Sequence, residues 1–448
     1  MSMLYIGLTG ANANRASLNV TAHNIANLNT QGFSRLKVDH SAVLANGQPM
    51  GVAASNPSRV YDSSTVLALR NAGEEYSFQQ ELRSGLSLLE NTLSSEGLSL
   101  TPGYNEFFSA IGEATSEPES VIYRNQFINN ANSLAKRFNS AVGQLNQQMD
   151  AQDHAFSASL TSTNATLQSV AELNETIERA HSMGQDTSAL LDQMDIMLAD
   201  LSSMVGVKVL AKDSGVVEVS LANGQPLISG SQVATLKSAE DGLLGLELEF
   251  NGRTVPIKND VSGSIGAMQE LRRDYHVPSL NSYNDMAKSL ADEVNLVLSA
   301  GFDLSGASPT KDLFTYDPLN PAGTLAITDI QEHELAFSGD GEPGNGDILK
   351  GLNDIRSMDF TIDGKTATLE AGFANMLGGI GLATATADAS LNSAEVTLWD
   401  AQVARDRVSA VSSDEEAANL LLYMNGYEAN MKVVSTANDV LQTVLSAF

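Results

Sequence analysis

Residues 412–446 read SSDEEAANLLLYMNGYEANMKVVSTANDVLQTVLS. Within this run Leu420, Tyr423, Tyr427, Asn430, Val434, Ala437, Leu441 and Val444 follow at alternating steps of three and four, and Phe448 extends the series. That spacing places one stripe on a helix that meets another helix along a shared seam. The start is marked as well. Ser413 and Glu416 stand at capping-box spacing, so Ser413 can accept from the Glu416 amide while the Glu416 side chain reaches back. Asp414, Glu415 and Glu416 together complement the positive end of the helix dipole.

The other end of the chain carries a similar seam: Leu4, Leu8, Ala11, Leu18, Ala22 and Ile25, interrupted by Arg15. The spacing predicts a helix that stops near Asn27–Asn29, because Asn-Thr-Gln-Gly is turn chemistry and Gly32 can take a positive φ. A surface helix on an ordinary core would show the same pattern, and both readings stand on spacing alone.

Between the ends the pattern is mostly helical. Leu82, Leu86, Leu89 and Leu93 mark one amphipathic helix; after a break at Glu117-Pro118 a long helical region runs to about 182, and Leu191 to Val205 mark another. At Gly206 the period changes to two. Val207–Leu210, Val216–Leu221, the alternation Leu244, Leu246, Leu248, Phe250, and Thr254–Ile257 read as strands, with Asn223-Gly224 and Asn251-Gly252 as hairpin turns. Helices return over about 264–275 and 279–300, an irregular Gly-, Pro- and Asp-rich stretch fills 301–346, and a last helical region leads from about 367 into the C-terminal helix. The fold class expected is mainly α with a small β domain, a multidomain α+β arrangement with an elongated helical body. The units are 1–60 with 405–448 as a terminal coiled-coil domain, 61–205 with 263–300 and 346–404 as the helical body, and 206–262 as an outer β domain. Whether 301–345 joins the β domain is left open.

The chain of 448 residues has a formal net charge of −29, with no cysteine and one tryptophan. Residues 1–60 hold four basic residues and one acid, and 405–448 hold three basic and six acidic residues, so the acid excess sits in the middle. Near-neutral ends and an acidic middle suit subunits that pack by their ends, and the balance disfavours nucleic acid. Zero cysteines exclude disulfides and thiolate metal sites. No apolar stretch is long enough for membrane insertion, and the N-terminus lacks the features of a cleavable secretory signal.

The stretch His23 to Arg35, HNIANLNTQGFSR, resembles the signature of the flagellar rod, hook and hook-associated axial proteins, carried here by Asn24, Ile25, Asn27, Thr30, Gly32, Phe33 and Arg35. The C-terminal run resembles the matching C-terminal signature, its DEE followed by N-L being nearest the hook-associated protein 1 family. Segments from Leu190, Gly263 and Ser289 are similar to the body of that family, so the resemblance spans nearly the whole chain. Met194, Met424 and Asn425 depart from the family's common residues. The resemblance implies a structural subunit at the hook–filament junction, extracellular and exported without a cleavable signal peptide by the flagellar type III apparatus. It implies self-association into a ring or helical homo-oligomer, with flagellar hook protein and the second hook–filament junction protein (hook-associated protein 3) as neighbours. A flagellar export chaperone would cover the C-terminal helix, whose seam would serve both chaperone and lattice. Alternatives are a hook or distal rod protein and, more remotely, a secreted enzyme or adhesin on a flagellar scaffold.

Catalysis finds no constellation. The six histidines are dispersed, with none of the paired spacings zinc requires. The loop Ser338 to Asp347 is acidic but lacks the EF-hand spacing, and Gly379 to Thr384 resembles a dinucleotide fingerprint without the strand that should precede it. The expectation is no enzyme, no metal and no cofactor.

Overall fold

The computed structural model describes residues 2–45, 48–258 and 261–447; Phe448, the last seam position, lies outside them. Eleven α-helices dominate these residues: α1 (Ser2–Ala26), α2 (Ser63–Leu93), α3 (Leu100–Ser116), α4 (Val121–Ser182), α5 (Ser188–Val205), α6 (Gly263–Glu270), α7 (Val277–Ser299), α8 (Pro321–Thr324), α9 (Asp347–Asp354), α10 (Leu369–Ser409) and α11 (Ser413–Ser446). Six small sheets accompany them. Strands β1 (Leu36–Lys37) and β4 (Ser58–Arg59) pair around a hairpin of β2 (His40–Ala45) and β3 (Gln48–Ala54). Strands β5 (Val207–Ala211), β6 (Val217–Leu221), β7 (Pro226–Ser229) and β8 (Gln232–Val233) form one antiparallel sheet in that order. Strands β9 (Thr235–Ser238), β10 (Leu246–Phe250) and β11 (Arg253–Ile257) form another with β10 central. The pairs β12 (Phe314–Thr315) with β13 (Ala326–Ile327), and β14 (Phe360–Ile362) with β15 (Lys365–Ala367), are two-stranded.

The 62-residue α4 is the spine, about 93 Å long at the rise of an α-helix. Its buried residues keep heptad spacing from Phe127 through Ala131, Leu134, Phe138, Ala141, Leu145 and Gln148 to Gln152, and again from Leu160 through Thr163, Leu167, Val170 and Asn174 to Ile177. Between these stripes Phe156 stands four residues from each neighbour, a stutter that turns the second stripe about the helix axis. The change of face coincides with a change of core. The first stripe packs with α3, α7 and the Leu313–Phe337 stretch, where Phe107, Phe127, Phe138, Tyr283, Phe314 and Phe337 are buried. The second packs with α5, α6 and the two larger sheets.

Sheet residues Val217, Val219, Leu221, Leu246 and Leu248 therefore share a core with α4 and α5 rather than closing one of their own. Two asparagines of α4 fix the sheets in place. Asn174 donates to the Val217 carbonyl at 2.8 Å and accepts from its amide at 2.9 Å. Asn164 does the same for Leu236, both at 2.9 Å. An amide side chain offers the donor and acceptor of a peptide group, so it continues a ladder where no strand is available. Leu313, Phe314, Leu325, Leu335 and Phe337 of the stretch 301–345 pack in the first core.

The expected helix break near 276–279 is absent. A π-helical segment, Leu271–His276, joins α6 to α7, and Pro278 sits in the first turn of α7. Val277 N–H bonds Arg272 O, one residue further back than in an α-helix. Because the helix is continuous here, Pro278 lies inside it, and its missing N–H falls just where the wider π register gives way to α. Strands β2, β3 and β7–β9 lie where the sequence showed no alternation.

The seam between the two cores is polar. The Gln152 amide donates to Met268 O at 2.9 Å, and its oxygen accepts from Arg272 Nε at 2.9 Å and lies 3.2 Å from His276 Nδ1. Arg272 also reaches Met149 O at 2.6 Å and Asp153 at 2.5 Å. His276 is buried and its Nε2 has no partner among the described residues. Burial first, and the Arg272 charge second, push its pKa down to about 4. The neutral imidazole is thus the folded form, and its stabilisation is complete above the unfolded value of about 6.5 and lost as pH falls from there towards 4. In thermal melts between pH 7 and 4.5, His276→Asn should flatten the pH dependence by on the order of 3 kcal/mol at the acid end; an unchanged slope would show that His276 is not the group involved.

Candidate assembly site: the paired chain ends

Helices α1 and α11 lie antiparallel. Asn14 meets Gly426, Gly10 meets Asn430 and Gly7 meets Val434, with a Cβ on Gly7 falling 3.0 Å from Val434 Cγ2 and one on Gly426 falling 2.6 Å from Asn14 Oδ1. The missing side chains let the two backbones approach closely, and Asn14 and Asn430 fill the notches left opposite. Each of these asparagines also donates back to the carbonyl four residues earlier, Gly10 and Gly426 respectively.

The buried face of α1 is therefore Gly7, Gly10, Ala11, Ala13, Ser17, Val20, Thr21 and Asn24. This corrects the seam expected at the N-terminus. Of its members only Ala11 is buried and Leu18 half-buried, while Leu4, Leu8, Ala22 and Ile25 are exposed. Small residues win the contact because close helix packing favours them over leucine. On α11 the expected residues Leu420, Tyr423, Tyr427, Val434 and Ala437 are half-buried on the stripe that carries Asn430, whereas Leu441 and Val444 are exposed. In this antiparallel register the start of α1 falls opposite about residue 437, so the last turns of α11 run past it.

The predicted helix cap shifts by one residue. Ser412 is extended and accepts from the Glu415 amide at 3.4 Å, while Ser413 is already helical. Glu416 does not reach back to the cap; its side chain is 2% exposed. It lies in a cleft of about 220 Å³ lined by Ser17, Thr21, Asn24, Lys37, Asn419 and Tyr423 among others.

The loop after α1 ties this pair to the body. Asn24, buried, donates to Leu36 O at 3.0 Å and accepts from Leu36 N at 2.9 Å, the same two-way amide bond that docks the sheets on α4. Asn27 donates to His23 O at 2.9 Å and accepts from Thr30 Oγ1 at 3.2 Å. Ile25 projects outward, and the Phe33 ring stands edge-on to His23 at 5.7 Å. Gly32 has φ +78°, and a Cβ there would come within 2.6 Å of Ile196 on α5. Arg405 of α10 donates to the Gly32 and Phe33 carbonyls at 3.0 and 3.2 Å. Arg35 N–H bonds Ser409 O at 2.7 Å, and the Arg35 guanidinium pairs with Glu415 at 2.6 Å.

A second charged group lies deeper. Arg59 is 2.8 Å from Asp192 and 2.5 Å from Asp195, and it donates to Ser34 Oγ at 3.2 Å. Ser34 N–H bonds Asp192 at 3.3 Å. Burial raises the Asp192 pKa, and the Arg59 charge offsets only part of that. Ser34, Arg59, Asp192, Asp195 and Arg405 carry no local signal in sequence, since what unites them is a crossing of α5, α10 and the loop. Among the described residues no group of three His, Cys, Asp or Glu could hold a metal ion, and no helix is long and apolar enough to cross a membrane.

Three known families match parts of this chain: the flagellar hook-associated protein FlgK helical domain over residues 86–314, the flagella basal body rod protein family over 4–33, and the flagellar basal body rod FlgEFG protein C-terminal family over 406–447. The two terminal matches coincide with α1 and its loop and with α11. Among relatives, flagellar hook-associated protein 1 of Escherichia coli strain K12 is 24% identical over 99% of both chains. That of Bacillus subtilis strain 168 is 23% identical over 100% of this chain and 99% of its own. The solved flagellar hook junction protein FlgK of Burkholderia pseudomallei shares the fold, with TM-score 0.68 at 15% identity, over 76% of this chain and 100% of that one.

The two arginine contacts of the loop separate by burial. Arg59 and Asp192 are each 10% exposed, whereas Glu415 is 63% exposed. Removing Arg59 strands two carboxylates, so Arg59→Ala should cost about 3 kcal/mol in chemical denaturation. Arg35→Ala should cost about 1 kcal/mol or less. Equal losses would overturn this ranking.

Proposed function

Because the chain belongs to the flagellar hook-associated protein FlgK family, we propose that it is the structural subunit joining hook to filament in the bacterial flagellum, working by self-assembly through its paired terminal helices. One observation carries the mechanism. The paired helices are closed to each other by small residues, yet Leu4, Leu8 and Ile25 on α1 and Leu421, Leu422, Leu441, Val444 and Leu445 on α11 remain exposed. Apolar surface of that extent on two neighbouring helices marks a protein contact. Burying it between subunits offsets the entropy of ordering long terminal helices.

In this reading residues 1–60 with 405–448 form the assembly unit, the helical body sets the spacing, and 206–262 faces outward. Copies of the chain form a ring or helical oligomer, with flagellar hook protein on one side and the second hook–filament junction protein on the other. A head-to-tail array of this kind uses two different surfaces of each copy. The overhanging end of α11, which exposes Val440, Leu441, Val444 and Leu445, is the segment a flagellar export chaperone would cover before assembly. The axial motif contributes by fixing geometry: Asn24, Gly32 and Arg35 hold the terminal pair at a set angle to α5 and α10. The family is structural, and catalysis has no part in this reading.

Ending the chain before Leu420 removes most of α11 while leaving both cores intact. The shortened protein should remain soluble with an unchanged unfolding midpoint for its body, and it should no longer occupy the ends of isolated hooks in electron micrographs. Continued occupancy would reduce α11 to ordinary core.

A further inference from the structure

Helix α10 carries two heptad stripes on opposite sides. One includes Phe373, Ile380, Thr384, Ala387 and Ala394, all buried in the body. The other is Leu382, Ala385, Ala389, Asn392, Val396 and Trp399, all exposed, with Val403 half-buried one step further on. Leu382, Val396 and Trp399 are 71%, 61% and 66% exposed, and Trp399 is the one tryptophan of the chain. A surface helix needs one apolar stripe for its own core. Steps of three and four kept up on its outer side suit a second helix. No charge falls on this stripe. Asp388 and Glu395 flank it on one side, and Asp400 and Arg407 on the other. Arg407 is exposed and makes no hydrogen bond or ion pair among the described residues.

Bulk and charge along the stripe are uneven, and this selects a partner. The first half is small, with Ala385 and Ala389 beyond Leu382 and open space above Gly378, the preceding stripe position. The second half is bulky, with Val396, Trp399 and Val403. Two copies of α10 paired in parallel and in register would stack Trp399 on Trp399 and set Glu395 against Asp400 twice. An antiparallel pair matching Leu382 with Trp399 would set Asp388 beside Glu395. A parallel pair shifted by two heptads, about 21 Å, places Trp399 over Ala385, Val403 over Ala389 and Asn392 over Gly378. In that register Arg407 of one copy falls across from Asp388 of the other, and Glu395 and Asp400 fall against uncharged Thr386 and Gly381. Flanking charges choose orientation and register between helices in this way. We infer that the outer stripe of α10 docks a second copy of this chain, the bulky half of one α10 lying along the small half of the next. Such a contact is heterologous and propagates with every copy pointing the same way. It rests on the assembly reading above and adds a contact between bodies to that between terminal helices. A patch of this length is too small to hold a complex by itself.

The chain has no cysteine, so introduced thiols report the register directly. Full-length Ala389→Cys and Val403→Cys proteins are mixed, bound to isolated hook ends and oxidised. The mixture should give a disulfide-linked pair, and neither protein alone should. Trp399→Ala should leave the unfolding midpoint of the monomer unchanged and lower apparent hook-end affinity about tenfold, as loss of a large aromatic anchor does. Arg407→Glu should lower it about threefold, and Asp388→Arg added to R407E should restore it. The Asp388–Arg83 pair lost in that double variant is about half exposed and contributes little to folding. The inference is overturned if the mixture does not link, if V403C or A389C links alone, if W399A lowers the midpoint or binds hook ends normally, or if D388R restores nothing. Should the unsubstituted chain itself not occupy hook ends, the assembly reading fails and this contact with it. Occupancy without the mixed link sinks this contact alone.

Discussion

The first and last helices lie within touching distance of each other's backbones, and everything between them is hung from that contact. Gly7, Gly10 and Gly426 remove the side chains that would hold α1 and α11 apart. An antiparallel pair built this way returns the chain to its starting point, so the body must be an excursion that leaves by one strand of the loop and re-enters through α10. The loop from Asn27 to Leu36 joins that pair to the body. It is gripped by Arg405 from α10, by Asp192 and Arg59 beneath it, and by Asn24 from within α1. None of these bonds is large by itself. Together they tie the pair of helices to the body.

Close packing through small residues has a second consequence. A helix that buries glycine, alanine and serine leaves its leucines elsewhere, and in this chain they remain on the outside of the pair. The contact that closes the monomer and the surface offered to neighbours are therefore different faces of the same helices. A subunit whose leucines closed its own seam would have little apolar surface left to polymerise with.

The body reuses one device. Asn24, Asn164 and Asn174 each bond both the amide and the carbonyl of one residue, and Asn295 bonds the amides of Leu313 and Phe314 and the carbonyl of Phe314. Each asparagine stands where a helix meets a strand residue that is paired on its other side, Leu36 with Arg59, Leu236 with Leu248, Val217 with Ala211 and Phe314 with Ile327. Such contacts orient one element on another without adding apolar surface. They help a chain with few aromatics and a single tryptophan define two separate cores along one long helix.

The helices and hairpins of this protein were legible because their signals are local. Three-four spacing of apolar residues marks α2, α4 and α5, and Asn251-Gly252 between alternating runs marks the β10–β11 turn, because each depends on residues a few positions apart. The heptad stripe of α11 was readable for the same reason. Spacing could not tell which of two possible stripes on α1 would be buried. That depends on how near the partner backbone comes, and a glycine face and a leucine face look equally regular in sequence. The hairpin His40–Ala54 and the strands from Pro226 to Ser238 alternate too weakly to be seen, being held by what they pack against. The grouping of Ser34, Arg59, Asp192, Asp195 and Arg405 likewise arises only where distant segments cross. By itself the sequence determined most of the elements and the kinship of the two ends. The tertiary structure alone decided which faces close the subunit and which stay open, because burial and pairing are properties of the space between elements.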